Sequence, residues 1–150
     1  MNFQQDDFKD EPNPYRKDQL FGDHAEVEVM DSVMAVVGSS IQRTAWYDKV
    51  DFKGLDVEVE LKRRRCSSTA YPDTMITQGK IEHFKAKHQE GIRTFIFIWF
   101  TDGLYFLEFK PVHYTAIRQN ESGGRSDRGK NERRPTGYAY IPIRLLRHYT

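Results

Sequence analysis

Asp51, Glu60 and Lys62 are the residues of this chain whose types and spacing can do chemistry together. Glu60 and Lys62 fall in "GLDVEVELKRRR", Gly54 to Arg65, where Leu55, Val57, Val59 and Leu61 alternate with Asp56, Glu58, Glu60 and Lys62. Side chains two apart on a β-strand share a face, so the stretch predicts a strand with one apolar face and one face of three carboxylates and an ammonium. Like charges in such a row repel one another unless a cation sits among them. Asp51 stands nine residues before Glu60, on a neighbouring segment within reach of it. Two carboxylates with a backbone carbonyl and waters make a sufficient oxygen shell for a hard divalent cation such as Mg²⁺ or Mn²⁺. Lys62 beside such an ion could orient or help deprotonate an attacking water and stabilise the charge that grows on a phosphate. Asp56 and Glu58 are expected to be plain solvent-facing residues of the strand.

The elements that must position these groups follow from periodicity. "GDHAEVEVMDSVMAVVGSS" predicts a helix from Asp23 to Val37, with Val27, Met30, Val33, Met34 and Val37 on one face and Gly38 as its stop. "RTAWYDKVDF" reads as a first strand, Gly54 as a turn and "LDVEVELKRR" as a second strand, paired as a hairpin. "SSTAYPDT" reads as a loop, and "MITQGKIEHFKAKHQEG" as a second helix of about ten residues ending near Gly91. "RTFIFIWFTDGLYFLEFK" predicts two strands joined at Asp102-Gly103, a pair that hairpin turns favour. Its run from Phe95 to Phe100 lacks alternation, as befits a central strand covered on both faces. The aromatic residues here, Phe95, Phe97, Trp99, Phe100, Tyr105, Phe106 and Phe109, are assigned to core packing. "YAYIPIRLLRHY" predicts a short strand and a closing helical turn.

Residues 1–19 are polar and read as a flexible arm, leaving 20–150 as one domain. Residues 119–136 have almost no apolar content and read as a mobile surface loop. With 150 residues, 38% of them hydrophobic, the chain can build one core. Mixed strands and helices in this order predict a single α/β domain with a central mixed β-sheet flanked by helices.

Net charge is +1, but it is unevenly spread. Residues 1–60 carry 14 acidic and 6 basic residues, and residues 61–150 carry 8 acidic and 17 basic, so the parts stand at −8 and +9. A carboxylate cluster within a basic surface suits a cation-dependent site acting on a polyanion, whereas mutual attraction of the two parts is the plainer reading. The basic loop carries Arg125, Arg128 and Lys130, which could close on a phosphate backbone with salt-dependent affinity. Arg63 and Arg64, next to Lys62, could contact neighbouring phosphates.

Other chemistries find little support. Cys66 is the sole cysteine, so internal disulfides and a cysteine-rich zinc site are excluded. His83 and His88 are five apart and share no helix face, which argues against a helical zinc pair and assigns both to the surface. Gly123-Gly124 follows no strand and is no phosphate loop. No apolar run reaches membrane-span length and no signal-peptide stretch opens the chain, so a cytoplasmic location without membrane contact is expected.

With "YDKVDFKGLDVEVELKRR" preceded by "FGDHAEVEVMDSV" and followed by "YPDTMITQGKIEHF", the chain resembles the PD-(D/E)xK nuclease superfamily over residues 20–110. The resemblance is to small phage or large-virus members. It implies a restriction-endonuclease-like core and a Mg²⁺- or Mn²⁺-dependent nuclease, with DNA as the expected substrate and the host cytoplasm as its location if the gene is a phage's. It assigns the metal to Asp51 and Glu60 with help from the Leu61 carbonyl, and the water to Lys62. Glu26 on the first helix, with Glu28 second, would orient Lys62 or assist a further ion. Gln78 or Lys80 would face the site or the nucleic acid from the start of the second helix. No proline precedes Asp51, and Asp48 and Asp56 remain alternatives to it. A non-catalytic nucleic-acid-binding or assembly protein on the same fold is the alternative reading, and a protein-interaction module a third. Symmetric dimers are a common route to cutting two strands, which leaves a homodimer open.

Overall fold

The computed structural model describes residues 14–45, 47–120 and 137–150, with side chains from His24 onward. Arg125, Arg128 and Lys130 lie outside the described residues. Helix α1 spans Pro14–Val37, and short strands β1 (Gln42–Arg43) and β2 (Phe52–Lys53) lead into β3 (Val57–Arg63). Strand β4 (Asp73–Thr77) runs directly into helix α2 (Gln78–Gln89). The hairpin β5 (Arg93–Phe100) and β6 (Gly103–Glu108) follows, then a one-turn helix α3 (Pro111–Tyr114) and β7 (Arg118–Asn120). Strand β8 (Tyr138–Pro142), a 3₁₀ turn (Ile143–Leu145) and β9 (Arg147–His148) close the chain.

The fold is α/β, as expected. Its main sheet is mixed, in the order β1-β2-β3-β5-β6-β9, and β4, β8 and β7 form a second, antiparallel sheet. Strand β3 sits inside the main sheet, antiparallel to β2 with Phe52 opposite Val59, and parallel to β5 with Glu60 opposite Ile96 and Lys62 opposite Ile98. One face of the main sheet packs against α1, where Ala25, Val29, Val33 and Val37 meet Val57, Val59, Leu61, Phe95 and Phe97. The other face carries Ile96 and Ile98 against Ile81 and Phe84 of α2, with Ile76, Ala139 and Ile141 from the second sheet. Glu58, Glu60 and Lys62, alternating with the α1-facing residues, lie on this α2 side.

Several expectations are corrected. Helix α1 starts at Pro14 rather than Asp23, so residues 14–19, read as part of an arm, are helical. Proline suits a first helical turn, because its missing N–H would have no partner there. The buried stripe of α1 is Ala25, Val29, Val33 and Val37, with Met30 and Met34 packed alongside, while Val27 is exposed. The stretch read as one strand from Arg43 to Phe52 is broken by a turn, leaving two-residue strands at its ends. Residues 73–77, divided between a loop and the helix start, are strand β4, and Asn120 and Gln119 belong to β7. Leu55, counted with the apolar face, is almost wholly exposed because β3 begins only at Val57.

That turn is tightly built. Gly54 donates its N–H to the Val57 carbonyl, and a Cβ on Gly54 would stand 2.6 Å from the Ser40 carbonyl oxygen and 2.8 Å from a Val57 methyl. The first of these is backbone that cannot step aside. Gly54→Ala is expected to lower stability by roughly 2 kcal/mol, read as a shift of the urea midpoint. An unchanged midpoint would show that the β2–β3 hairpin, which brings Asp51 to β3, is looser than its geometry.

Candidate active site

Asp51 enters the site from the residue before β2. Its backbone N–H donates to the Val59 carbonyl at 3.0 Å, and its carbonyl accepts from Thr44 N–H at 3.0 Å. Its side chain then reaches one rung further along β3, where Oδ2 accepts the Leu61 N–H at 2.7 Å. In a strand a residue's N–H and C=O project to the same edge. The Leu61 carbonyl therefore lies on the edge that Asp51 occupies, beyond the last β2–β3 pair. Of the candidate first acids, Asp51 is the one brought to Glu60. Asp48 is held by Lys53 at 3.2 Å and by the Lys49 N–H at 2.7 Å, and Asp56 is exposed in the turn at the start of β3.

Glu60 is 3% exposed and is the centre of the charges. Lys62 Nζ lies 2.9 Å from its Oε1, and Lys80 Nζ, from the first turn of α2, lies 3.1 Å from its Oε2. A buried carboxylate costs several kcal/mol unless it is compensated, and these two ammoniums supply the compensation. Among the described residues no ammonium is ion-paired with Asp51 in this way, and Lys62 acts on it only through its charge. Burial, then the charge of Glu60 and a smaller contribution from Glu26, push its carboxyl up to about 7 against the pull of the Leu61 N–H. Glu26 is itself paired with Arg43 at 3.3 Å.

The remaining predicted residues take varied places. The Arg63 guanidinium lies over the Trp99 ring, 4.6 Å from its centroid, on the opposite face of the sheet from Lys62. Arg64 donates to the Met75 carbonyl and so ties the end of β3 to β4. Gln78, at the start of α2, donates its backbone N–H to the Gly137 carbonyl. Glu58 is not solvent-facing but 6% exposed, since α2 covers it: His83 Nε2 lies 2.8 Å from Oε1 and Lys87 Nζ 3.7 Å from Oε2. His83, assigned to the surface, is thereby half-buried. Both partners sit on a helix more than twenty residues downstream, and the alternation of β3 alone carries no sign of that cover.

The arrangement suits a divalent cation. Among the described residues no three acidic, histidine or cysteine side chains converge on one point. The available donors are the Asp51 and Glu60 carboxylates and the Leu61 carbonyl, all oxygen, and hard cations take oxygen. A carboxyl held near 7 by burial and a neighbouring carboxylate marks a place where added positive charge is favourable.

A mixed sheet flanked by helices, with an acid before one strand and an E-x-K on the next, is compatible with a restriction-endonuclease-like core. Residues 18–148 match the family model described as "Phage putative PDDEXK endonuclease", and the chain belongs to that family. No curated protein and no solved structure matches the chain at a significant level. No helix among the described residues is long and apolar enough to cross a membrane.

Proposed function

We propose that this protein is a divalent-metal-dependent nuclease that hydrolyses phosphodiester bonds in nucleic acid, with DNA as the favoured substrate. The observation that carries the reading is the meeting of Asp51, Glu60 and Lys62 at one edge of β3, Asp51 hydrogen-bonded to the peptide between the other two. Asp51, Glu60 and the Leu61 carbonyl would hold Mg²⁺ or Mn²⁺, which supplies Lewis-acid polarisation of the phosphate and a more acidic water. Lys62 then orients the attacking water and offers its ammonium to the charge that develops on the phosphate oxygens. Lys80, 3.1 Å from Glu60, would share that charge. Glu26 tunes Asp51 through its charge. Arg125, Arg128 and Lys130 are assigned to the nucleic-acid backbone, while Arg63, over Trp99 on the other face of the sheet, is removed from the scissile phosphate and Arg64 supports β4.

The intact acid, glutamate and lysine favour catalysis over a binding protein on the same fold, which would have no use for all three. Two measurements test this. Millimolar Mn²⁺ is expected to raise the melting temperature, because an ion that binds only the folded chain stabilises it. A mixed panel of single-stranded, duplex and branched DNA and RNA is expected to show cleavage with Mg²⁺ or Mn²⁺ and none with EDTA. Nucleic-acid binding with no cleavage on any substrate or metal would establish the binding-protein alternative instead.

A further inference from the structure

We infer that Glu58 is a positioning residue: through His83 and Lys87 it sets the register of α2 along β3 and so holds Lys80 at Glu60. Its kinetic consequence rests on the nuclease reading above, while its structural consequence does not.

Both Glu58 oxygens are committed to α2, Oε1 to His83 at 2.8 Å and Oε2 to Lys87 at 3.7 Å, with Lys87 also 3.7 Å from Glu90. Glu58 therefore acts through the helix rather than on a reacting atom. The next residue on the same strand face, Glu60, takes Lys80 from the first turn of that helix. The pairs run in opposite directions, 58 to 60 on the strand against 87, 83 and 80 on the helix. Two strand residues cover about 6.6 Å, and the helix rises about 4.5 Å from Lys80 to His83 and about 10.5 Å to Lys87. Two carboxylates thus fall within the span of three basic side chains, and they do so in one register.

Apolar contacts cannot set that register alone. Ile81 and Phe84 are fully buried against the sheet, and the Gln78 N–H on the Gly137 carbonyl pins the helix where it leaves β4, but neither contact is made to the charged face of β3, so the setting of the basic side chains of α2 against Glu58 and Glu60 is left to the ion pairs. A rotation of the helix about that pinned start would take Lys80 off Glu60 and strand buried carboxylates without partners. Of the two anchors, Glu60 would exchange its ammoniums for the metal during turnover, which would free them for the phosphate. Glu58 is free of that demand and can keep the helix in place while Glu60 changes partners.

The test compares Glu58→Gln with His83→Leu, which keeps the carboxylate and removes its shorter contact, so that one variant serves if the other fails to fold. Coupling between Glu60 and Lys80 is read from the urea midpoints of Glu60→Gln, Lys80→Met and the double variant. It is expected to be clearly non-additive with Glu58 and His83 intact and additive within error in either variant. In single-turnover cleavage, Glu58→Gln is expected to lose at least tenfold in rate with nucleic-acid Kd within about threefold, and to lose nothing further once Lys80 is already Met. A Glu60–Lys80 coupling that survives both substitutions overturns the proposal, as does an equal rate loss in the presence and absence of Lys80. If the unaltered chain cleaves nothing, the nuclease reading falls and the midpoints alone decide the role of Glu58.

Discussion

Lys62→Ala slows single-turnover cleavage by about 10²-fold or more and leaves nucleic-acid affinity within a few-fold. The separation follows from what Lys62 touches. Its ammonium, 2.9 Å from Glu60, stands beside the proposed metal ligands, so it meets the phosphate where charge develops in the transition state. Loss of an interaction made chiefly there lowers the rate constant, whereas one phosphate contact among several adds little to binding. The fold should tolerate the change, because Lys80 remains 3.1 Å from Glu60 and still compensates its charge, and the Lys62 side chain is 41% exposed. A Tm close to that of the unaltered chain, beside a collapsed rate, is the expected pair of results. An unchanged rate would remove Lys62 from the chemistry and with it the strongest sequence argument for a nuclease.

The residues proposed to do the chemistry are legible because their signal is local. Val57, Val59 and Leu61 alternate with Glu58, Glu60 and Lys62, and that alternation alone places Glu60 and Lys62 on one face. The Asp-Gly turn and the unbroken run of Phe95 to Phe100 likewise located the central hairpin. What escaped depends on partners far along the chain. Glu58 looks like a solvent residue until α2 lies across it with His83 and Lys87. Strand β4 is five residues of mixed polarity whose pairing with β8 joins Asp73 to Pro142, a contact no local pattern carries. Helix α1 hides its buried stripe because Ala25, small and easily passed over, opens it, while the larger Val27 points outward. For Glu26 the resemblance implies orienting Lys62 or assisting a further ion. The structure gives it Arg43 as a partner and lets it act on Asp51 through charge.

Asp51→Asn should make the metal-free protein more stable near pH 8 while abolishing both cleavage and the Mn²⁺-induced rise in Tm. The sign comes from linkage. Asp51 titrates at 3.8 in an unperturbed chain and at about 7 in the fold, so between these values the folded state keeps a proton that the unfolded chain has released. Its contribution to stability is fully present below pH about 4 and is lost as pH rises through 7. Above that, ionised Asp51 opposes folding by an amount on the order of 4 kcal/mol at most. Asparagine keeps an oxygen for the Leu61 N–H and carries no charge to repel Glu60 and Glu26. It also brings an amide NH₂ that needs a new acceptor, so a net gain of roughly 2 kcal/mol is expected, about 4–8 °C in Tm for a chain of this size. At pH 4 the gain should be gone and the variant should melt slightly below the unaltered chain, because Asp51 is then protonated in the folded protein and only the cost of the amide remains. Metal acts in the opposite sense, since it binds the carboxylate form and competes with the proton, so Mn²⁺ should stabilise the unaltered chain far more at pH 8 than at pH 5 and the variant little at either. A variant that melts lower than the unaltered chain at pH 8 in EDTA would mean that Asp51 is already compensated in the fold, and the case for a cation at its side would lose its electrostatic basis.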